Sequence, residues 1–446
     1  MLAPRMTGLT TGKAMLAAVS LIFASIAAGS TNSAAASRAM PPLIFIPGLG
    51  MSALQVNVEH DAGARTSFKF LVPAMTPARL LPSPATSALD YATRNGLAPQ
   101  DADSVPEWLS LAIAEDGRAR NMPGVTVEPV TIGTDFAAEC PRYVPTANLL
   151  EQRGWSIDDT LLCLPYDYRY PPGANTFATD FRELVTRAVD SSRGTKAIIA
   201  CHSQGCLMAY HALRTLDQTW VSTHVQLLFG FAGQFSGCSD CLRWAFQRGW
   251  SWDPSDSLAS PVDPTWAGEL ALDLQPTVYG DAVLYRNGDR GYRARDAREL
   301  LGAAGALSMV RATGHYSLAE QNWFREGDTA RRPLPVQSRF VYGTGLPTVV
   351  GYAFADVPPR PVTCQEPGCA GFMAQLEPDS IESNGDGGDS AWMNEAPARW
   401  TSHPSCDMRS LPGVSHMDIT TNVDAVNLLF TVATAANPDG VPCVTG

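Results

Sequence analysis

Basic side chains are scarce in this chain: 32 lysine and arginine residues stand against 44 aspartate and glutamate, a formal charge of −12 over 446 residues. No net positive field recruits nucleic acid or strongly anionic lipid, so no nucleic-acid partner is expected. Beyond the N-terminal region no segment is apolar enough to span a bilayer, which takes roughly 20 residues. A second C-x-x-C and a clustered histidine pair are both missing, so Cys238-Ser-Asp-Cys241 reads as a disulfide and not as zinc or redox chemistry. No N-x-S/T triplet occurs, which removes N-glycosylation. Internal repeats are absent too.

What remains is an ordinary globular composition, 45% apolar and 17% charged, ample for one large core. Arg5 and Lys13, an apolar stretch from Ala14 to Ala28, and the small residues Ala34-Ala35-Ala36 predict a secretory signal peptide over 1–36, cleaved near Gly29 or Ala36. All ten cysteines lie beyond it, an even number that predicts disulfides and a secreted or lumenal location, a lysosome-like compartment included.

Residues 197–207, A-I-I-A-C-H-S-Q-G-C-L, run apolar, break at Ser203 and resume as a helix-forming segment. This pattern predicts a nucleophile elbow, a strained strand-to-helix turn that lifts a serine hydroxyl toward a carbonyl. Gly205 supplies the small residue required after the serine, whereas Cys201 stands where a glycine is usual before it. Hydrolases built this way place serine, acid and histidine in that chain order. Asp389, in N-G-D-G-G-D-S-A-W, and His416, in L-P-G-V-S-H-M-D-I, lie on loop-like segments downstream and complete the order. A buried strand, Leu43 to Ile46, ends in the turn Pro47-Gly48-Leu49-Gly50. The backbone N–H groups of Leu49 and Gln204 are therefore the expected oxyanion donors.

Strands at Leu161 onward, Lys196 to Cys201, Val225 to Phe231 and Phe340 to Tyr342 alternate with helices predicted from Tyr143 to Arg153, Thr176 to Ser192, Gln204 to Leu216 and Val423 to Ala435. Such alternation predicts an α/β class with a mainly parallel sheet flanked by helices. The core is expected to resume at V-T-V-E-P-V (125–130) after an Ala/Pro/Ser-rich excursion. Over 37–446 we expect a single domain with insertions at about 51–122 and 236–335. The second gathers Trp244, Trp250, Trp252, Trp266 and Trp323 and reads as a cap over an apolar site.

Several separated blocks then resemble the lecithin:cholesterol acyltransferase family, with lysosomal phospholipase A and the phospholipid:diacylglycerol acyltransferases. They are I-F-I-P-G-L-G (44–50), P-G-V-T-V-E-P-V (123–130), R-G-W-S-I-D-D-T-L-L-C-L-P-Y-D-Y-R (153–169), C-H-S-Q-G (201–205), G-Y-R-A-R-D-A-R-E-L-L (291–301) and V-Y-G-T-G-L-P-T (341–348). The resemblance implies an α/β-hydrolase fold with a cap and a lipid-surface element, working on phospholipid acyl esters without metal or other cofactor. It implies a peripheral membrane or lipoprotein surface as partner and leaves the oligomeric state open. The chain departs from the family pattern in two places. No cysteine lies between Gly50 and Cys140 to close a membrane-binding hairpin, and D-G-G-D-S-A replaces the usual D-G-D-x-T-V at the acid. Asp389 keeps the acid-x-x-apolar spacing and is preferred to Asp386.

Ser203 would then attack the ester with His416 as base, and the acyl-enzyme would pass its acyl group to water or to a sterol-like lipid alcohol. The alternatives are a lipid-binding protein that has kept the fold and lost catalysis, and a soluble carboxylesterase. His202 is read as a packed scaffold residue, Asp167 with Arg169 as a structural charge pair, and His315 as a base out of order.

Overall fold

A computed structural model describes residues 40–61, 63–71, 93–238, 241–242, 265–304, 306–317, 336–354, 379–399 and 407–435. The expected signal peptide, Trp244, Trp250, Trp252, Trp323 and the cysteines at 364, 369, 406 and 443 lie outside the described residues. No helix among the described residues is long and apolar enough to cross a membrane.

Six strands form the central sheet: β1 (Leu43–Ile46), β2 (Leu161–Cys163), β3 (Ala197–His202), β4 (Val225–Phe231), β5 (Gln337–Thr344) and β6 (Met408–Pro412). Their order is β6-β5-β4-β3-β1-β2, and every pairing is parallel. A parallel sheet is covered on both faces, so its strands need apolar residues at every position. β1 and β3 meet that demand and are buried along their whole length.

Successive side chains point to opposite faces. Ile44, Ile46 and Ile199 enter one core with Phe181, Leu184, Leu207 and Leu213, from the helices α2 (Phe177–Ser191) and α3 (Gln204–Thr215). Leu43, Phe45, Ile198 and Ala200 enter the opposite core with Ala147 and Leu150 of α1 (Val144–Glu151), and Val426 and Leu429 of α4 (Val423–Thr434). This mainly parallel sheet between helices is the expected α/β-hydrolase arrangement.

The V-T-V-E-P segment rejoins the core through Val125 and Val127, but outside the central sheet. Val125–Pro129 does not join the central sheet; it pairs antiparallel with Leu54–Glu59, which pairs in turn with Arg65–Phe70. Its alternation of buried Val125 and Val127 with exposed Thr126 and Glu128 is that of a strand with one face in water.

The 236–335 region is not self-contained either. Its hairpin, Val283–Asn287 with Arg290–Arg293, extends a four-stranded sheet completed by Leu346–Phe354 and Asp379–Gly385. The last of these strands leads directly into the acid loop. Disulfides join Cys140 to Cys163, Cys201 to Cys206 and Cys238 to Cys241. The last matches the reading of the C-x-x-C as a disulfide and makes it a local one.

Candidate active site

Ser203 lies between the end of β3 and the start of α3 at φ 55°, ψ −132°. A serine there is strained by about 1 to 3 kcal/mol, so its neighbours must hold it. The Ser203 N–H donates to the Phe231 carbonyl (3.1 Å), while its own carbonyl accepts from Cys206 (3.0 Å) and Gln234 (3.2 Å). Gly205 is sterically required: a Cβ would stand 2.2 Å from the Pro47 carbonyl oxygen. Gly48 is also close to the nucleophile, since a Cβ on it would lie 3.0 Å from that of Ser203. The turn after β1 therefore abuts the nucleophile. Among the described residues, neither the Leu49 nor the Gln204 N–H donates to a protein acceptor. Gln204 also opens α3, whose dipole favours negative charge at that end. Its side chain is fixed by the Tyr166 hydroxyl (2.9 Å) and the Gly268 carbonyl (3.3 Å).

His416 is placed by its backbone as well as its ring. Its N–H donates to the Asp386 carbonyl (2.9 Å), and its carbonyl meets Nε2 of His202 (2.9 Å). Nδ1 lies 3.2 Å from Asp386 Oδ2 and 3.1 Å from Asp389 Oδ2. The expected acid Asp389 thus reaches the imidazole, and so does its alternative Asp386. Asp386 is hydrogen-bonded to the ring. It also accepts the N–H groups of Gly388 (3.0 Å) and Asp389 (2.6 Å) and the Asn394 amide (3.0 Å). Spacing relative to the following apolar residue carries no record of those donors. Asp389 accepts from the Gln234 side chain (2.8 Å).

Burial alone would push the His416 pKa down, but the charges of Asp389 and Asp386 and the hydrogen bond to Asp386 outweigh it and raise it to about 9. Burial also works against ionisation of Asp386, yet His416 and the surrounding donors hold its pKa below the ordinary value. His202 behaves oppositely. Desolvation, then the neighbouring His416 charge, lowers its pKa to about 3. Its Nε2 faces a carbonyl and therefore carries the proton, leaving Nδ1 as acceptor toward the Tyr143 hydroxyl (2.8 Å), which itself accepts the Gly48 N–H (3.0 Å). The two imidazoles pack with ring centroids 4.7 Å apart.

Ser203 and His416 are thus brought to one site through His202, although no hydrogen bond joins them among the described residues. A groove of about 870 Å³ between Arg182, Trp220 and His224 touches none of these residues. Arg169 forms a buried bidentate pair with Asp167 (2.9 and 2.7 Å) and also bonds the Leu109 carbonyl, which makes it a fastener. His315 bonds the Asp116 carbonyl, away from the acid loop. Sequence reading missed Gln234, Tyr143 and Asn394, whose roles arise only from contacts distant in the chain.

Residues 134–249 match the family model described as Lecithin:cholesterol acyltransferase. A rice protein, "Lecithin-cholesterol acyltransferase-like 1", is 25% identical over 342 residues, covering 72% of this chain and 71% of its own. The human "Lysosomal phospholipase A and acyltransferase" is 22% identical over 228 residues, and the match spans about half of each chain, 46% here and 49% there. The solved structure titled "The crystal structure of Tle4-Tli4 complex" superposes over 88% of this chain and 98% of that one, at a TM-score of 0.46 and 12% identity, too loosely to inform function. In sequence, this chain is similar to the lecithin:cholesterol acyltransferase family over residues 134–249 and to the two acyltransferase relatives beyond them.

Proposed function

We propose that the protein is a serine-dependent phospholipid acyl hydrolase and acyltransferase. The observation that carries this reading is Ser203 at a strained elbow apex, against the Gly48 turn, with an aspartate-bound His416 beside it. Because Nδ1 of His416 faces the carboxylates, Nε2 is the nitrogen left to take the serine proton. Ser203 Oγ bonds to the ester carbonyl carbon while that proton moves to Nε2. The resulting oxyanion takes hydrogen bonds from the Leu49 and Gln204 N–H groups, each worth about 3 to 4 kcal/mol. Collapse breaks the ester bond, and the departing lyso-lipid alcohol takes the proton. Water or a lipid alcohol then attacks the acyl-serine, deprotonated by the same imidazole. Bonds to substrate draw the serine and the base together, as catalytic contacts commonly tighten only in the complex.

The phospholipid substrate rests on the named activities of the relatives. The lipid-surface role of 51–122, the cap role of 236–335 and the secreted or lumenal location belong to the same reading. Trp392, 43% exposed beside the acid loop, supports work at a lipid surface. One observation favours the noncatalytic lipid-binding alternative: the missing bond between Ser203 and His416. A fluorophosphonate probe separates the two. Labelling of the wild type that vanishes in Ser203→Ala supports the enzyme, and an unlabelled wild type rejects it. Labelled phosphatidylcholine vesicles with and without sterol then read the acceptor: sterol ester establishes transfer, and free fatty acid alone restricts the protein to hydrolysis.

A further inference from the structure

The Cys201–Cys206 disulfide straddles Ser203, with both sulfurs fully buried and the two Cα atoms 4.9 Å apart. Resting on the reading of Ser203 as nucleophile, we propose that this disulfide is a positioning element that clamps the elbow and orients both the serine and the acid. It takes over covalently the task that a glycine at position 201 would perform by yielding space.

Three observations support this. At the elbow the first turn of α3 packs so tightly against the end of β1 that Gly205 admits no Cβ, which would meet the Pro47 and Ile46 carbonyl oxygens. Positions 201 and 206, on either side of the turn, are brought to a Cα separation of 4.9 Å, within the usual span of a disulfide. The bond turns that crowding into a tether across the strained residue.

Cys206 also bears on the exit from β4. A Cβ on Gly233 would come within 2.9 Å of Cys206 Cβ, and one on Gly230 within 3.4 Å of its sulfur. The sulfur of Cys201 reaches the Phe229 carbonyl of the same strand (3.5 Å). The disulfide is thus wedged against the segment that carries Gln234. Gln234 makes two bonds that matter, one from its backbone N–H to the Ser203 carbonyl and one from its side chain to Asp389. A clamp that sets Gln234 sets the nucleophile's backbone and the acid loop together.

The test measures the second-order rate of fluorophosphonate labelling on full-length chain made under oxidising conditions, well below each variant's melting temperature. Ser203→Ala serves as the zero. The double variant Cys201→Ala/Cys206→Ala is expected to label at least tenfold more slowly, with kcat falling and KM steady on a soluble ester. Cys201→Gly/Cys206→Ala, which relieves the crowding without the bond, is expected to recover at least threefold over the alanine pair although it is no more stable.

An alanine pair that labels within twofold of wild type, whatever its loss of melting temperature, overturns the proposal and leaves the disulfide as a stabiliser. A glycine variant as slow as the alanine pair overturns the substitution of bond for glycine. If neither variant folds, wild type is treated with a phosphine and its 201 and 206 thiols are counted by mass spectrometry. Labelling that falls as those thiols appear supports the clamp; labelling that persists with both thiols free overturns it. A wild type that never labels sinks the nucleophile reading itself, which is distinct from a wild type and an alanine pair that label equally fast.

Discussion

At the elbow, Ser203 is oriented by main-chain atoms: Gly205 against Pro47, Gly48 against the serine, and three backbone hydrogen bonds. At the acid loop, orientation comes from side chains instead, with Asp386 and Asp389 both reaching one imidazole nitrogen and Asn394 and Gln234 holding one carboxylate each. A site made by backbone has one solution, and changing it damages the fold. One made by side chains contains a spare partner, and changing it grades the chemistry.

Gly205→Ala tests the first half of that contrast and carries the largest expected effect. A methyl group at 2.2 Å from a carbonyl forces the strand and helix apart, at about 3 kcal/mol by the measure of overpacked cores. A urea melt would show this loss; an unchanged midpoint would mean that the elbow yields more easily than its contacts indicate. The second half is tested at the carboxylates. Asp386→Asn with Asp389→Asn should lower kcat on the order of 10⁴-fold, as loss of a triad acid does. Asp386→Asn alone should cost roughly 10²-fold and Asp389→Asn less than about tenfold, because the remaining carboxylate still holds the ring. If Asp389→Asn proves as damaging as the pair, Asp389 alone is the acid. A smaller effect is the pH profile. Only neutral His416 accepts the serine proton, so kcat/KM should rise as pH approaches about 9. Removing the Asp389 charge should move that rise to lower pH, and a wild-type midpoint near the ordinary histidine value would break the two-acid description.

The same contrast explains what was legible in the sequence. β1 and the greater parts of β3 and β4 are apolar runs, and the elbow announces itself through Ser203 and Gly205, all local features. Val125–Pro129 reaches the core through Val125 and Val127, but as the half-exposed strand of a separate sheet, which its own alternation marks. By contrast, that two carboxylates share the imidazole was hidden. Spacing can compare Asp386 with Asp389 only against neighbours in the chain, yet Gln234 and His416 decide what each carboxylate touches. Tyr143, which joins the Gly48 turn to His202, has no local mark at all.

The paired histidines have a further effect, on the proton uptake of the folded chain. His202 binds its proton far less readily folded than unfolded, so its contribution is whole above about pH 6.5 and fades as acidity grows toward about pH 3. His416 binds its proton more readily folded, so its contribution is whole below about pH 6.5 and fades as alkalinity grows through about pH 9. Two rings in van der Waals contact therefore lean on the folding equilibrium from opposite directions. Their combined support crests close to neutrality, and thermal melts across that range should show a crest that flattens on its acid side when His202 is replaced by glutamine.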